Sequence, residues 1–227
     1  MNINTLAIRQ ALQSGGAAAE TQLSIIADSA GDEQLALVIE DLGAAEIAAI
    51  VEDSDMTKPS LLHAFVNAEQ FIGAFDRLGA RWGAISASSD IDLLKFQNDI
   101  EDFLCPMILA SGRQKHRDSL LEALIEHDLG PDTLLFVALD RKDFDELIVR
   151  PLDFPVALGT WQELFRLVAE LHSEKYQDIA HHFVSLKDGE KDGTRPFAIG
   201  LLNALYHQAR AAQADEPEST DEVFVDL

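Results

Sequence analysis

Glycine cuts the N-terminal quarter of the chain into short segments, and this punctuation sets the first limit on how it can fold. Gly15-Gly16, Gly31 and Gly43 separate stretches whose apolar residues fall at helical spacing. In the stretch 33–42, Leu35, Val38, Ile39 and Leu42 share one face; in 44–53, Ile47, Ile50 and Val51 share another. Gly31 suits a helix C-terminus because it tolerates positive φ, and Asp32 then stands where a helix N-cap belongs. The last two of these helices repeat at roughly 12 residues, as acid, apolar face and small-residue turn. Helices this short are marginal in water by themselves and must stack on neighbours, so the expectation is a solenoid-like start.

Residue choice extends the helical reading to the whole chain. There are 30 Ala and 31 Leu against 10 Val and 7 Thr, a balance that favours helix over pleated sheet. The nearest strand candidates are VFVDL at the C-terminal end and LLFVAL at Leu134–Leu139, and the latter reads equally well as a short buried helix. From Met56 the helices lengthen. Asn67 caps a break before Phe71; IDLLKFQNDIEDFL is bent or ended at Pro106; TWQELFRLVAELHSEKYQDIAHHFVSL runs on from a Thr160 cap; Thr194 and Pro196 open a last helix. The expected fold is all-α: short stacked helices over 1–82, a loop-like boundary at 83–90, an irregular helical bundle over 90–212, and a disordered acidic tail over 213–227.

Charge narrows the function classes. Forty acids against 17 bases leave a net charge of −23, which argues against a nucleic-acid surface and against docking on anionic membrane. The longest apolar run, Phe103–Ala110, is too short to span a bilayer and contains Pro106, so no membrane insertion is expected. A lone Cys105 makes no internal disulfide and fits a reducing cytoplasmic setting, and its apolar surroundings suggest a buried, inert thiol. No basic leader and apolar stretch open the chain. Phosphate-binding glycine loops, dinucleotide fingerprints and nucleophile elbows are all missing, and no cofactor is expected.

Three constellations carry chemistry. His127-Asp128, inside ALIEHDLGPD, resembles the core of the HD-domain phosphohydrolases, all-helical enzymes whose adjacent His and Asp bind a divalent metal that activates water. The resemblance covers this segment alone and marks His127 and Asp128 as candidate metal ligands. In the same residues Gly130 ends a helix, Pro131 prevents its return and Asp132 caps the next, which is the structural alternative. Glu174, Asp178 and His181 share a helical face beside Glu170, His172 and His182, as carboxylates and imidazoles would at a metal site or on a solvated face. GRQKHR at Gly112–Arg117 packs four bases into six residues, and reads as a partner site, a dock for the acidic tail, or a solvated helix start.

The tail adds a fourth lead, with Val223, Phe224, Val225 and Leu227 set among acids as candidate partner-binding residues. Segment Asp32–Asp55 resembles, in composition, the cytoplasmic helical domain of bacterial magnesium transporters, and no functional residue is carried over from it. The leading expectation is a binding module rather than an enzyme: an adaptor, regulator or immunity-type inhibitor that offers an acidic face to a basic partner protein. Beside it stand a metal-dependent hydrolase at His127-Asp128 and a divalent-cation sensor built on the N-terminal carboxylates. A saline habitat would account for much of the acidity without any specific target.

Overall fold

The computed structural model describes residues 3–53, 60–82, 92–187 and 193–214. These form eleven α-helices and one 3-10 turn, with no strand among the described residues. The helices are α1 (Ile3–Leu12), α2 (Gly16–Glu40), α3 (Ala44–Asp53), α4 (Ala68–Trp82), α5 (Leu93–Leu109), α6 (Gln114–Glu126), α7 (Gly130–Ala138), α8 (Phe144–Val149), α9 (Trp161–Leu171), α10 (Ser173–Lys187) and α11 (Thr194–Ala214). The 3-10 turn, Leu61–Ala64, precedes α4. The all-helical expectation holds, and LLFVAL is the helix α7. The expected boundary at 83–90, the VFVDL strand candidate and the tail after Ala214 lie outside the described residues.

The first helices stack in chain order, α1 on α2, α2 on α3 and α3 on α4. Gly31 marks a kink inside α2 with φ of 80° and ψ of 173°, so the two short helices read on either side of it are joined there. Asp53 accepts from the Gly16 amide at 2.8 Å, and Glu46 accepts from the Gly43 amide at 2.9 Å and pairs with Arg9 at 2.6 Å. Carboxylates thus satisfy helix-start N–H groups that short helices leave without partners. Asn67 does cap α4: its side chain accepts from the Gln70 amide at 2.9 Å while the Gln70 side chain accepts from the Asn67 amide at 3.0 Å.

One of two alternatives at Pro106 is closed, and one detail further on differs from the sequence expectation. Pro106 does not end α5, which runs on to Leu109. The long helix expected after Thr160 is two helices, broken at His172 with φ of −136° and ψ of 57°. The break returns α10 onto α9, so that the Tyr176 ring meets Phe165 at 6.4 Å between centroids. The Tyr176 hydroxyl then reaches the carbonyls of Leu147 and Ile148 at 3.2 and 3.0 Å, donating where α8 ends. A straight helix would carry Tyr176 away from both.

Helix α4 lies at the centre. It packs along α3, α6 and α11, and its contact with α11 is the most extensive between any two of the described helices. One continuous core runs from Ile8 to Leu205. Phe71 and Phe75 of α4 stack on Phe103 of α5 at 5.6 and 6.4 Å, and a second aromatic cluster gathers Trp161, Phe165 and Phe183 around Phe144. Gly79 brings α4 against the backbone of α11, where a Cβ would lie 2.3 Å from the Leu205 carbonyl oxygen. Gly79→Ala is therefore expected to destabilise the fold by about 1–3 kcal/mol through overpacking. Gly200→Ala, in the same α11 but facing open space, should be neutral or stabilising by up to about 1 kcal/mol. Chemical denaturation of the two variants checks both signs.

Candidate functional site

His127 sits at the corner where α6 turns into α7. Its Nδ1 accepts from the Leu129 amide at 3.2 Å, which leaves the proton on Nε2. That nitrogen donates to Asp76 Oδ1 of α4 at 2.9 Å, and the Gln208 side-chain amide of α11 lies 2.9 Å from Nε2 and 3.0 Å from the same carboxylate oxygen. The ring meets Phe75 edge-on at 5.2 Å. Asp76 thereby ties the α6–α7 corner and α11 to α4, and both nitrogens of the imidazole are engaged by protein groups. Asp128 is exposed. The following Gly130 fits so closely that a Cβ would lie 1.7 Å from the Leu124 carbonyl oxygen, so only glycine closes this corner.

A second His–Asp pair lines a surface cleft between α7 and α10. His182 Nδ1 is 3.1 Å from Asp132 Oδ1, and its ring stands edge-on to Phe197 at 5.0 Å. Asp178 and Lys175 border the same cleft, floored by Leu135 and Ile179, with a volume of about 160 Å³. Of the α10 group singled out in the sequence, Asp178 and His182 share this cleft, whereas Glu174 and His181 are exposed. The cleft offers a mixed-charge rim, and no Ser, Thr or Cys lines it. Among the described residues no group of three or more His, Cys, Asp or Glu is arranged to hold a metal ion.

His63 is the buried imidazole that the sequence did not single out. It is 3% exposed; Nδ1 accepts a long bond from the Ser60 amide at 3.5 Å, and Nε2 has no hydrogen-bond partner among the described residues. Burial holds its pKa below the ordinary 6.5, with Glu20 pulling weakly the other way. Cys105 is buried as expected, and burial pushes its thiol well up, so it is not a thiolate nucleophile.

The exposed surface carries two further features. The connection from α8 to α9, residues 150–160, is pinned at its end: Gln162 accepts from the Ala157 amide at 3.1 Å, Glu163 accepts from the Gly159 amide, and Thr160 caps α9. Phe154 and Val156 pack inward against the core. Val149, Leu152 and Leu158 nevertheless face solvent at 75%, 60% and 78% exposure. This fixed apolar surface had no signal in the sequence beyond a proline-broken apolar run. The basic turn GRQKHR is the start of α6. His116 anchors it, with Nε2 donating to the Val66 carbonyl at 2.6 Å and Nδ1 2.8 Å from Ser111 Oγ. Arg113 and Lys115 are exposed, while Arg117 shares its charge with Asp118 at 3.2 Å. Val223, Phe224, Val225 and Leu227 lie outside the described residues.

Two outcomes follow from these imidazoles. His127→Ala and Asp76→Ala should each cost about 1–3 kcal/mol, and the double variant should cost less than the sum by at least about 0.5 kcal/mol. A double-mutant cycle in urea reads this directly. For His63, the folded state favours the neutral ring, so its contribution is intact above pH 6.5 and is lost as pH falls below that value toward the lower folded one. His63→Gln keeps the bond to the Ser60 amide without a titrating group, and its melting temperature should fall less than the wild type's between neutral and mildly acidic pH.

Compared with family models, curated proteins and solved structures, the chain has no match.

Proposed function

We propose that the chain is an acidic helical interaction module that binds a basic partner protein through the α8–α9 connection. The supporting observation is the connection, pinned at its α9 end, which leaves Leu152 and Leu158 in solvent beside Val149 at the end of α8, although Phe154 and Val156 are drawn inward. Scattered exposed apolar residues are ordinary, but several on one fixed connection are the anchors that a partner's pocket would fill. The net charge of −23 supplies the complementary part, speeding encounter with a basic surface and discriminating against acidic ones. In this division of labour, affinity comes from the apolar anchors and selection from the charge. A hydrolytic role for His127 would require Nε2 to leave Asp76, whose carboxylate Gln208 also bonds, and no feature of the corner favours that exchange.

The test is capture of partners with the full chain as bait, followed by titration of the purified pair. Replacing Leu152 and Leu158 together by Ser removes two anchors worth about 1–2 kcal/mol each, so affinity should fall by roughly one and a half to three orders of magnitude with the melting temperature unchanged. Raising salt should lower the association rate most. A purified partner whose binding ignores both the double substitution and the salt would sink this reading.

A further inference from the structure

We infer that the acidic segment 215–227 docks in cis on the basic start of α6, at Arg113 and Lys115. The geometry that points there is the direction of α11. Its Leu205 and Ala209 lie against Gly79, its Gln208 bonds Asp76, and its Ala212 carbonyl accepts from Arg77 at 3.3 Å. Leu205 and Ala209 straddle Gly79, while Ala212 beyond them is met by Arg77, which precedes Gly79, so α11 runs antiparallel to α4 with its C-terminal end toward the start of α4. The basic segment is moored just before that start. His116 bonds the Val66 carbonyl, and the Arg113 guanidinium lies 6.0 Å over the Phe65 ring.

Reach and charge agree with the direction. Ala68 is about 14 Å from Arg77 along α4 at 1.5 Å per residue. The 13 residues after Ala214 extend to roughly 45 Å, which covers that span with slack for crossing from α11 to α6. They carry Asp215, Glu216, Glu218, Asp221, Glu222 and Asp226 and no base. Tethering keeps their effective concentration near the patch high, so individually weak ion pairs suffice. On a chain of net charge −23, this exposed basic turn is the densest positive feature in the sequence, and the chain's own last 13 residues carry complementary charge. The contact is independent of whether the α8–α9 connection binds a partner.

The experiment uses the full chain with a nitroxide on Thr220→Cys, because Cys105 is 2% exposed and stays unlabelled. Amide resonances of residues 112–118 should broaden strongly, those of α10 should not, and the broadening should disappear in ~1 M salt, where charges are screened beyond about 3 Å. Arg113→Glu with Lys115→Glu should abolish it, and adding Asp221→Lys with Glu222→Lys should restore it, a rescue that misfolding of either variant would not give. Uniform broadening, or broadening centred on residues 149–158, would overturn the dock. So would broadening that appears only when labelled and unlabelled chains are mixed, because the contact would then join two copies.

Discussion

The close approach of α4 to two neighbours at once is the constraint on which the rest of the molecule depends. Gly79 lets α11 in, and at Gly73 the helix meets Ala44 so tightly that a Cβ would lie 2.4 Å from the alanine methyl. With α3 on one side and α11 on the other, α4 joins the short N-terminal stack to the last helix of the chain. The polar ties then fall where backbone contact has already fixed the distances. Asp76 faces His127 and Gln208, and Arg77 meets the Ala212 carbonyl. Larger residues at the two glycines would move α4 outward and lengthen these bonds together. The ties therefore select the arrangement that the glycines make possible, and do not create it.

Short helices bring a second problem, since every helix end leaves carbonyls without partners. Two buried glutamines answer it in the same way. Gln70 donates its amide to the carbonyls of Ile39 and Leu42 at 2.7 and 2.6 Å, and Gln97 donates to those of Phe136 and Leu139 at 2.8 and 2.7 Å. Both sites are helix-to-helix corners, α2 into α3 and α7 into α8, and both bury apolar residues at matching positions. Val38, Ile39, Leu42, Ile47, Ile50 and Val51 at the first correspond to Leu135, Phe136, Leu139, Phe144, Leu147 and Ile148 at the second. A side-chain amide has two N–H groups on one nitrogen, so a single residue satisfies two carbonyls one helical turn apart. Leucine there would fill the space and leave both orphaned, each at about 1–3 kcal/mol.

Local features were legible in the sequence and distant ones were not. Gly31, Asn67 and Thr160 act where a sequence reader would place them, because a positive φ or a cap depends on residues within a turn. The break at His172 was hidden because nothing local forbids a helix there; Tyr176 and the end of α8, far back in the chain, decide it. The same holds for His127. Its neighbour Asp128 suggested a paired site, whereas its Nε2 donates to Asp76 of an earlier helix, a carboxylate that Gln208 of the last helix also bonds. Gln70 and Gln97 look like ordinary polar positions in sequence, and only the packing of remote helix ends makes them interior residues. The exposed Leu152 and Leu158 were equally silent, since apolar periodicity cannot report that a side chain is left outside.

The acidity divides into two populations with different physics. Glu46, Asp53, Glu101 and Glu163 accept from backbone amides at the starts of helices or the turns before them, and Glu101 also pairs with Arg141 at 2.8 Å with both side chains 17% exposed. These carboxylates sit where the positive ends of helices favour them, and screening affects them little. The remaining acids are mostly solvated and repel one another, a cost that salt relieves. Salt therefore acts with opposite sign on the two consequences of the charge. It strengthens the folded chain by screening self-repulsion, and it weakens any association that uses the same field to attract a basic surface. A chain acidic only because it lives in brine gains on the first count and loses nothing on the second. A chain acidic because it binds must give up affinity as it gains stability, and that opposition separates the two origins of the charge.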